Sequence, residues 1–255
     1  MLTIQMICEN FLLQMALGLI ALTPIASSRL TGAGFIRLSS FLSMGLVILS
    51  LLLHLSYASW KSPQAIVLAT SILFLFVHGQ FHRDQKGPFM WILYALSSFL
   101  LLYALTLFHN FDLRVLSYIL LSTFLMGSVV YAMVLGHWYL VVPKLSTRPL
   151  KISLVFLWIF LGLKLIESTY GLVESWDSFF ATTGQIKGFS FNWMRLLMRV
   201  GWGYLVLGIM SVFTWKLVRL RSIQSATGML YAMTFFIFVG ELISNYLYFE
   251  NGIFL

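Results

Sequence analysis

The stretch LLLHLSYASWKSPQ, residues 51–64, decides how this chain is read. Leu51 to Leu55 close an apolar run in which His54 stands about one helical turn before the polar residues. Tyr57, Ala58, Ser59 and Trp60 follow, then a single cation, Lys61, and Pro63 opens the next apolar run. This is the pattern of a chain that leaves one bilayer-spanning helix and enters another. An ionisable imidazole just inside a bilayer is costly, which makes His54 the first candidate functional residue.

The composition around that stretch agrees. Of 255 residues, 60% are hydrophobic and only 9% charged, and the mean hydropathy is +0.93. A soluble domain carries roughly 25% charged residues, so the chain reads as an integral membrane protein. Its net charge of +8 belongs to loops beside anionic headgroups and does not imply a nucleic-acid partner. The one cysteine, Cys8, rules out a disulfide framework, a CxxC zinc site or an iron–sulfur cluster built from this chain alone. It reads as a packing residue. No Lys or Arg precedes Arg29, so the first run lacks the basic flank of a cleaved signal peptide and reads as a retained helix.

A hydrocarbon core of about 30 Å needs about 20 apolar residues per helix. Eight runs qualify: 7–27, 35–57, 63–82, 88–109, 114–142, 151–170, 191–217 and 222–248. No internal repeat or linker divides them, so residues 1–255 are expected to form one all-α transmembrane bundle. The one long connection, 171–190, carries Trp176, Phe179 and Phe180 and has the size of a cap or docking surface. Orientation follows from the cations. Connections after odd-numbered runs hold ten: Arg29, Arg37, Arg83, Lys86, Lys144, Arg148, Lys151, Lys216, Arg219 and Arg221. The other side holds four: Lys61, Arg114, Lys187 and Arg195. Both termini are therefore expected outside, which in a bacterial inner membrane is the periplasm. His54 and His109 then end runs on the periplasmic side, and His78, His82 and His137 on the cytoplasmic side.

Three charges lie well inside apolar runs: Lys164, Arg199 and Glu241. Each costs roughly 2.5–3.5 kcal/mol near a helix centre, so they must pair, face a wet cavity, or both. All three fall in the outer half, with Glu167 and His54. A purely structural reading pairs Lys164 with Glu241, or Arg199 with Glu167, to hold the last three helices together. A functional reading notes that a base, two acids and two cations gathered in one leaflet are the parts of a proton-coupled site. His109, beside Asn110 and Asp112, reads as a solvated loop residue. Gly127, Gly136, Gly201 and Gly203 read as marks of close helix contact.

On the cytoplasmic side His78 and His82 share a helix face, and His137 lies in GHWYLVVP. A bis-histidine haem b between the third and fifth runs is one reading. An interfacial belt of His137, Trp138 and Tyr139 is the other. No acidic pair suits a magnesium diphosphate, and there is no phosphate-cradling glycine loop, HExxH or GxSxG.

Two segments resemble the membrane anchor subunit of dimethyl sulfoxide reductase. LLLHLSYASWKSPQA is similar to the end of that family's second helix, with its His-Leu pair and Ser-Pro turn. FIFVGELISNYLYF is similar to its last helix. Gln14 with Gly18, Glu167, and Trp193 with Arg195 are weaker echoes. Eight helices and outward termini also match the broader polysulfide-reductase-type anchors. The resemblance implies a metal-free, quinol-binding anchor that passes electrons from menaquinol to a ferredoxin-like iron–sulfur partner, which feeds a molybdopterin catalytic subunit. The family's quinol-site histidine falls on His54 and its Gly-Glu-Leu acid on Glu241. GHWYLVVP and the pair at 78 and 82 have no counterpart there.

Quinol oxidation releases two protons with two electrons, and imidazole, with a reference pKa of about 6.5, is suited to accept one. The expectation is that His54 takes a quinol proton, Glu167 and Glu241 relay protons outward, and Lys164 and Arg199 balance their charge. Helices 2, 3 and 7 would wall the ring and tail. The rivals are a haem b cytochrome subunit using His78 or His82 with His137, and a small-solute or ion permease using the buried charges.

Overall fold

The computed structural model describes residues 2–26, 28–81, 88–142, 145–174 and 186–255, with side chains at 28, 29, 33, 88, 186–192 and 251 left aside. Apolar side chains recur without a polar face in most of the runs, which in lipid selects helices, because a helix satisfies its own backbone hydrogen bonds. All regular structure among the described residues is helical. The long helices are α1 (Leu2–Ala21), α2 (Ala33–Leu55), α3 (Pro63–Phe81), α4 (Pro88–Phe108), α5 (Leu113–Val141), α6 (Arg148–Glu174), α7 and α8 (Ile223–Asn251). α7 has three parts: α7a (Ile186–Val200), a π-helical stretch (Gly201–Val206) and α7b (Leu207–Arg219). Eight helices are long and apolar enough to cross a membrane, at 19–29 residues each, or about 28–44 Å at ~1.5 Å per residue. The chain is thus built as a multi-pass membrane protein. α6 runs beyond the expected 151–170 because Arg148 and Glu174 are polar ends that can sit in the headgroup layer.

α1 and α5 form the centre. In each, 78% of the hydrophobic window is buried, against 28% for α4. α2, α3 and α4 pack successively on one flank, with α2 and α4 also against α1. On the other flank α6 and α8 pack on α5, and α7 packs on α6 and α8. Lipid tails are as apolar as leucine, so helices associate through close packing. A Cβ on Gly18 would come within 2.4 Å of the Thr123 carbonyl oxygen, and one on Gly127 within 2.5 Å of the Gly18 Cα. The two central helices therefore meet backbone to backbone at this glycine pair. Gly203 and Gly240 do the same for α7 and α8, with a Gly240 Cβ at 2.6 Å from the Gly203 Cα. Gly136 also stands against a neighbour, but Gly201 has open space around it, so the expected contact there does not exist.

Two turns place site residues. Asp112 caps α5, its side chain accepting from the Arg114 and Val115 amides at 2.9 and 3.3 Å. At the far end of α8, Gly252 adopts φ +65°, the left-handed conformation that glycine enters at little cost. The chain then folds back so that Leu255 lies inside the bundle, 2% exposed.

Candidate functional site

The buried ionic and amide side chains lie in the half of the bundle where α1 begins and α8 ends. α1 supplies three polar side chains, Glu9, Asn10 and Gln14, none of which has any exposed surface. Successive helical residues differ by about 100° in direction, so Glu9 and Asn10 address different neighbours.

Glu9 faces α2. His54, 6% exposed, holds its Nδ1 at 3.1 and 3.2 Å from the two Glu9 carboxylate oxygens. Its Nε2 lies 2.8 Å from the Ser62 hydroxyl. Tyr57 donates a short hydrogen bond to Glu9. Burial, with the bond to Glu9 and its charge, pushes the Tyr57 phenol well above its usual range, so this residue stays a donor. A carboxylate at Nδ1 draws the ring proton to that nitrogen and leaves Nε2 as the basic site. Beside this pair the amide of Gln64 is buried, near enough to act on the Glu9 carboxylate but without a well-formed hydrogen bond from either atom, and Ser50, one turn below His54, is buried without a partner. Buried polar atoms normally find partners, so the cluster has unused hydrogen-bonding capacity for water or a polar ligand.

Asn10 and Gln14 face α8 and α4. The His109 Nε2 lies 2.9 Å from Asn10 Oδ1, Asn10 donates to Asn245 at 3.3 Å, and Asn245 donates to Gln14 at 3.3 Å. His109 is 6% exposed, against the expectation of a solvated residue. Packing against Phe108, Tyr248 and Phe249 encloses it, and burial pushes its pKa down to about 4 despite Asp112 nearby. It is a neutral structural link.

The remaining charges form a second cluster. Arg199 donates from Nη1 to Glu241 at 2.9 Å and from Nε to the main-chain oxygen of Leu255 at 3.1 Å, all buried. Its guanidinium also lies over the Tyr204 ring, 4.3 Å from the centroid. Lys164, fully buried, pairs with Glu167 at 3.6 Å and donates to the Tyr118 carbonyl at 3.1 Å. Tyr118 joins the two pairs, since its hydroxyl bonds both Ser244 and the Leu255 oxygen that Arg199 holds. A cavity of about 180 Å³ between α5 and α6, lined by Ser117, Tyr118, Glu167 and Tyr170, reaches this cluster.

The observed pairs are the reverse of those expected from the sequence. The glycine contact between α7 and α8 brings Arg199 to Glu241, whereas Lys164 and Glu167 are one turn apart on α6 and point together at α5. His54 is buried as expected, yet it shares no direct contact with Glu167 or Glu241. The central helices α1 and α5 lie between them, and the buried amides of Asn10, Asn245 and Gln14 link α1 to α8. α7, expected to wall the His54 site with α2 and α3, packs on the opposite flank. Glu9, Gln64 and Tyr57 carry the His54 site; the sequence places Tyr57 and Gln64 in the stretch that follows His54 but assigns neither a role, and it does not mark Glu9. Glu9 stands near the start of its run, where a charge can reach headgroup water, so its position alone marks no cost.

The haem reading has little geometry to rest on. His78, buried in α3, bonds Ser40 from Nδ1 at 2.8 Å, while His137, exposed on α5, bonds Tyr231 at 2.8 Å. α3 packs on α2 and α4, and α5 on α1, α6 and α8, so the two imidazoles belong to different flanks. His82 and residues 175–185 of the long connection, with Trp176, Phe179 and Phe180, lie outside the described residues.

No protein-family model, curated protein or solved structure matches the chain.

Proposed function

We propose that this chain is a quinone-reactive membrane subunit whose site is the His54–Glu9 pair. The observation that carries the reading is a buried imidazole held by a carboxylate at the helix boundary, with the buried amide of Gln64 beside that carboxylate. A quinol hydroxyl takes the place of Ser62 at His54 Nε2 and gives up its proton there. Glu9 holds the ring in the productive tautomer and balances the imidazolium charge. Gln64 supplies a donor and an acceptor for a second ring oxygen. Each quinol yields two protons and two electrons. The protons leave toward the nearby helix ends, and the electrons pass to a redox partner docked on the same face. On the resemblance already described, that partner is a ferredoxin-like iron–sulfur subunit linked to a molybdopterin subunit, the quinone is menaquinone, and the face is periplasmic in a bacterial inner membrane.

The test is the binding of a short-chain naphthoquinol to the purified protein, followed by tryptophan quenching. His54→Ala and Gln64→Leu are each expected to weaken binding about tenfold, the loss of one good buried hydrogen bond. Unchanged affinity in both variants removes this site from the mechanism. A second reading draws on the cavity at Glu167: a solute entering there meets Arg114, Glu167 and Tyr118, as in a permease. Solute uptake by the protein in liposomes, indifferent to quinones, is the outcome that selects it.

A further inference from the structure

We propose that the groove between α6 and α7b is a binding site for one anionic phospholipid. The groove encloses about 310 Å³ at the opposite end of the bundle from the His54 site. Arg148 and Lys151 stand at its mouth, Val155, Phe156 and Ile159 line its length, and Trp215 forms the facing wall. These α6 positions recur every three or four residues and so share one helix face. From Arg148 to Ile159 the helix rises about 16 Å at ~1.5 Å per residue, close to the ~15 Å depth of one leaflet's hydrocarbon. An acyl chain therefore fits along the groove while its headgroup lies at the two cations.

The charge around the mouth selects the headgroup. Lys216, Arg219 and Arg221 are exposed at this same end, where basic pockets between helices attract anionic lipid. Among the described residues the acids are Glu9, Asp112, Glu167, Glu174, Glu241 and Glu250, all toward the other end of the bundle. No described carboxylate competes for the cations, and none is there to receive a choline or ethanolamine ammonium. The site thus favours a phosphate with no positive group behind it, as in phosphatidylglycerol. Its occupant would seal the gap between α6 and α7b and steady α7b against the bundle.

The experiment titrates the purified full chain in detergent with phosphatidylglycerol or phosphatidylcholine and counts retained lipids by native mass spectrometry. One phosphatidylglycerol is expected to be retained saturably, about tenfold or more tightly than phosphatidylcholine. The Arg148→Gln/Lys151→Gln double variant should lose that preference, and Lys61→Gln, at the opposite end, should keep it. Ile159→Trp, which fills the groove and leaves both cations in place, should also expel the lipid. This second route separates groove binding from general attraction to a positive surface. Equal retention of the two lipids, wild-type preference in both groove variants, or displacement by excess inorganic phosphate would each overturn the proposal.

Discussion

Arg199 and Glu241 are both completely buried, and each is tolerable only because the other is there. Desolvating two ions costs so much that their attraction rarely leaves a large surplus, but removing one partner strands the other. Arg199→Met is therefore expected to destabilise the protein by about 3–5 kcal/mol, and Arg199→Met with Glu241→Leu to recover most of that loss. Thermal unfolding in detergent reads the difference. A double variant no more stable than the single one would show that the guanidinium's bond to Leu255, and not the ion pair, is what matters. Residue by residue, Lys164, Arg199 and Glu241 were visible in the sequence, because a charge in mid-run needs no structure to be noticed, whereas Glu9, near the start of its run yet fully buried, was not. The partners of those three were not visible, because Arg199 and Glu241 are 42 positions apart and Lys164 had two acids within plausible reach.

At the scale of elements, glycine decides which helices touch. Gly127→Ala would set a methyl group within 2.5 Å of the α1 backbone, and neither central helix can move without disturbing the other's neighbours. A loss of several kcal/mol is expected, in line with overpacking of a tight core. Gly45, in mid-α2, has nothing within 4 Å of its missing Cβ, so Gly45→Ala should be neutral or stabilising by about 0.5–1 kcal/mol. Equal behaviour of the two variants in a melting experiment would contradict the backbone contact. The π-helical stretch Gly201–Val206 adds a further device next to Arg199. Such wide turns occur often at functional positions, and nothing in a hydropathy profile announces one. The spans themselves were legible to within a few residues, because hydrocarbon thickness sets their length.

The whole molecule is polarised. Its buried ionic and amide network occupies one half, and most exposed cations stand at the other end. If the cation-rich end faces the cytoplasm, as the charge rule requires, the His54 cluster opens to the opposite side. In a Cys8→Ser background, Lys61→Cys should react with an impermeant maleimide added outside intact cells, and Leu220→Cys only after lysis. The reverse pattern would put the His54 site on the cytoplasmic side and remove the proposed route for its protons.

Composition and run length by themselves determined the class of protein, the number of helices and the mid-run charges that a bilayer tolerates only at a cost. Those properties come from transferring each segment out of water, a local quantity that any window of the chain reports. Only tertiary structure decided that His54 meets Glu9, that Arg199 meets Glu241, and that α1 and α5 keep the two clusters apart. Such contacts join positions far apart along the chain, and their energy depends on which helix faces meet, which no single segment's hydrophobicity specifies.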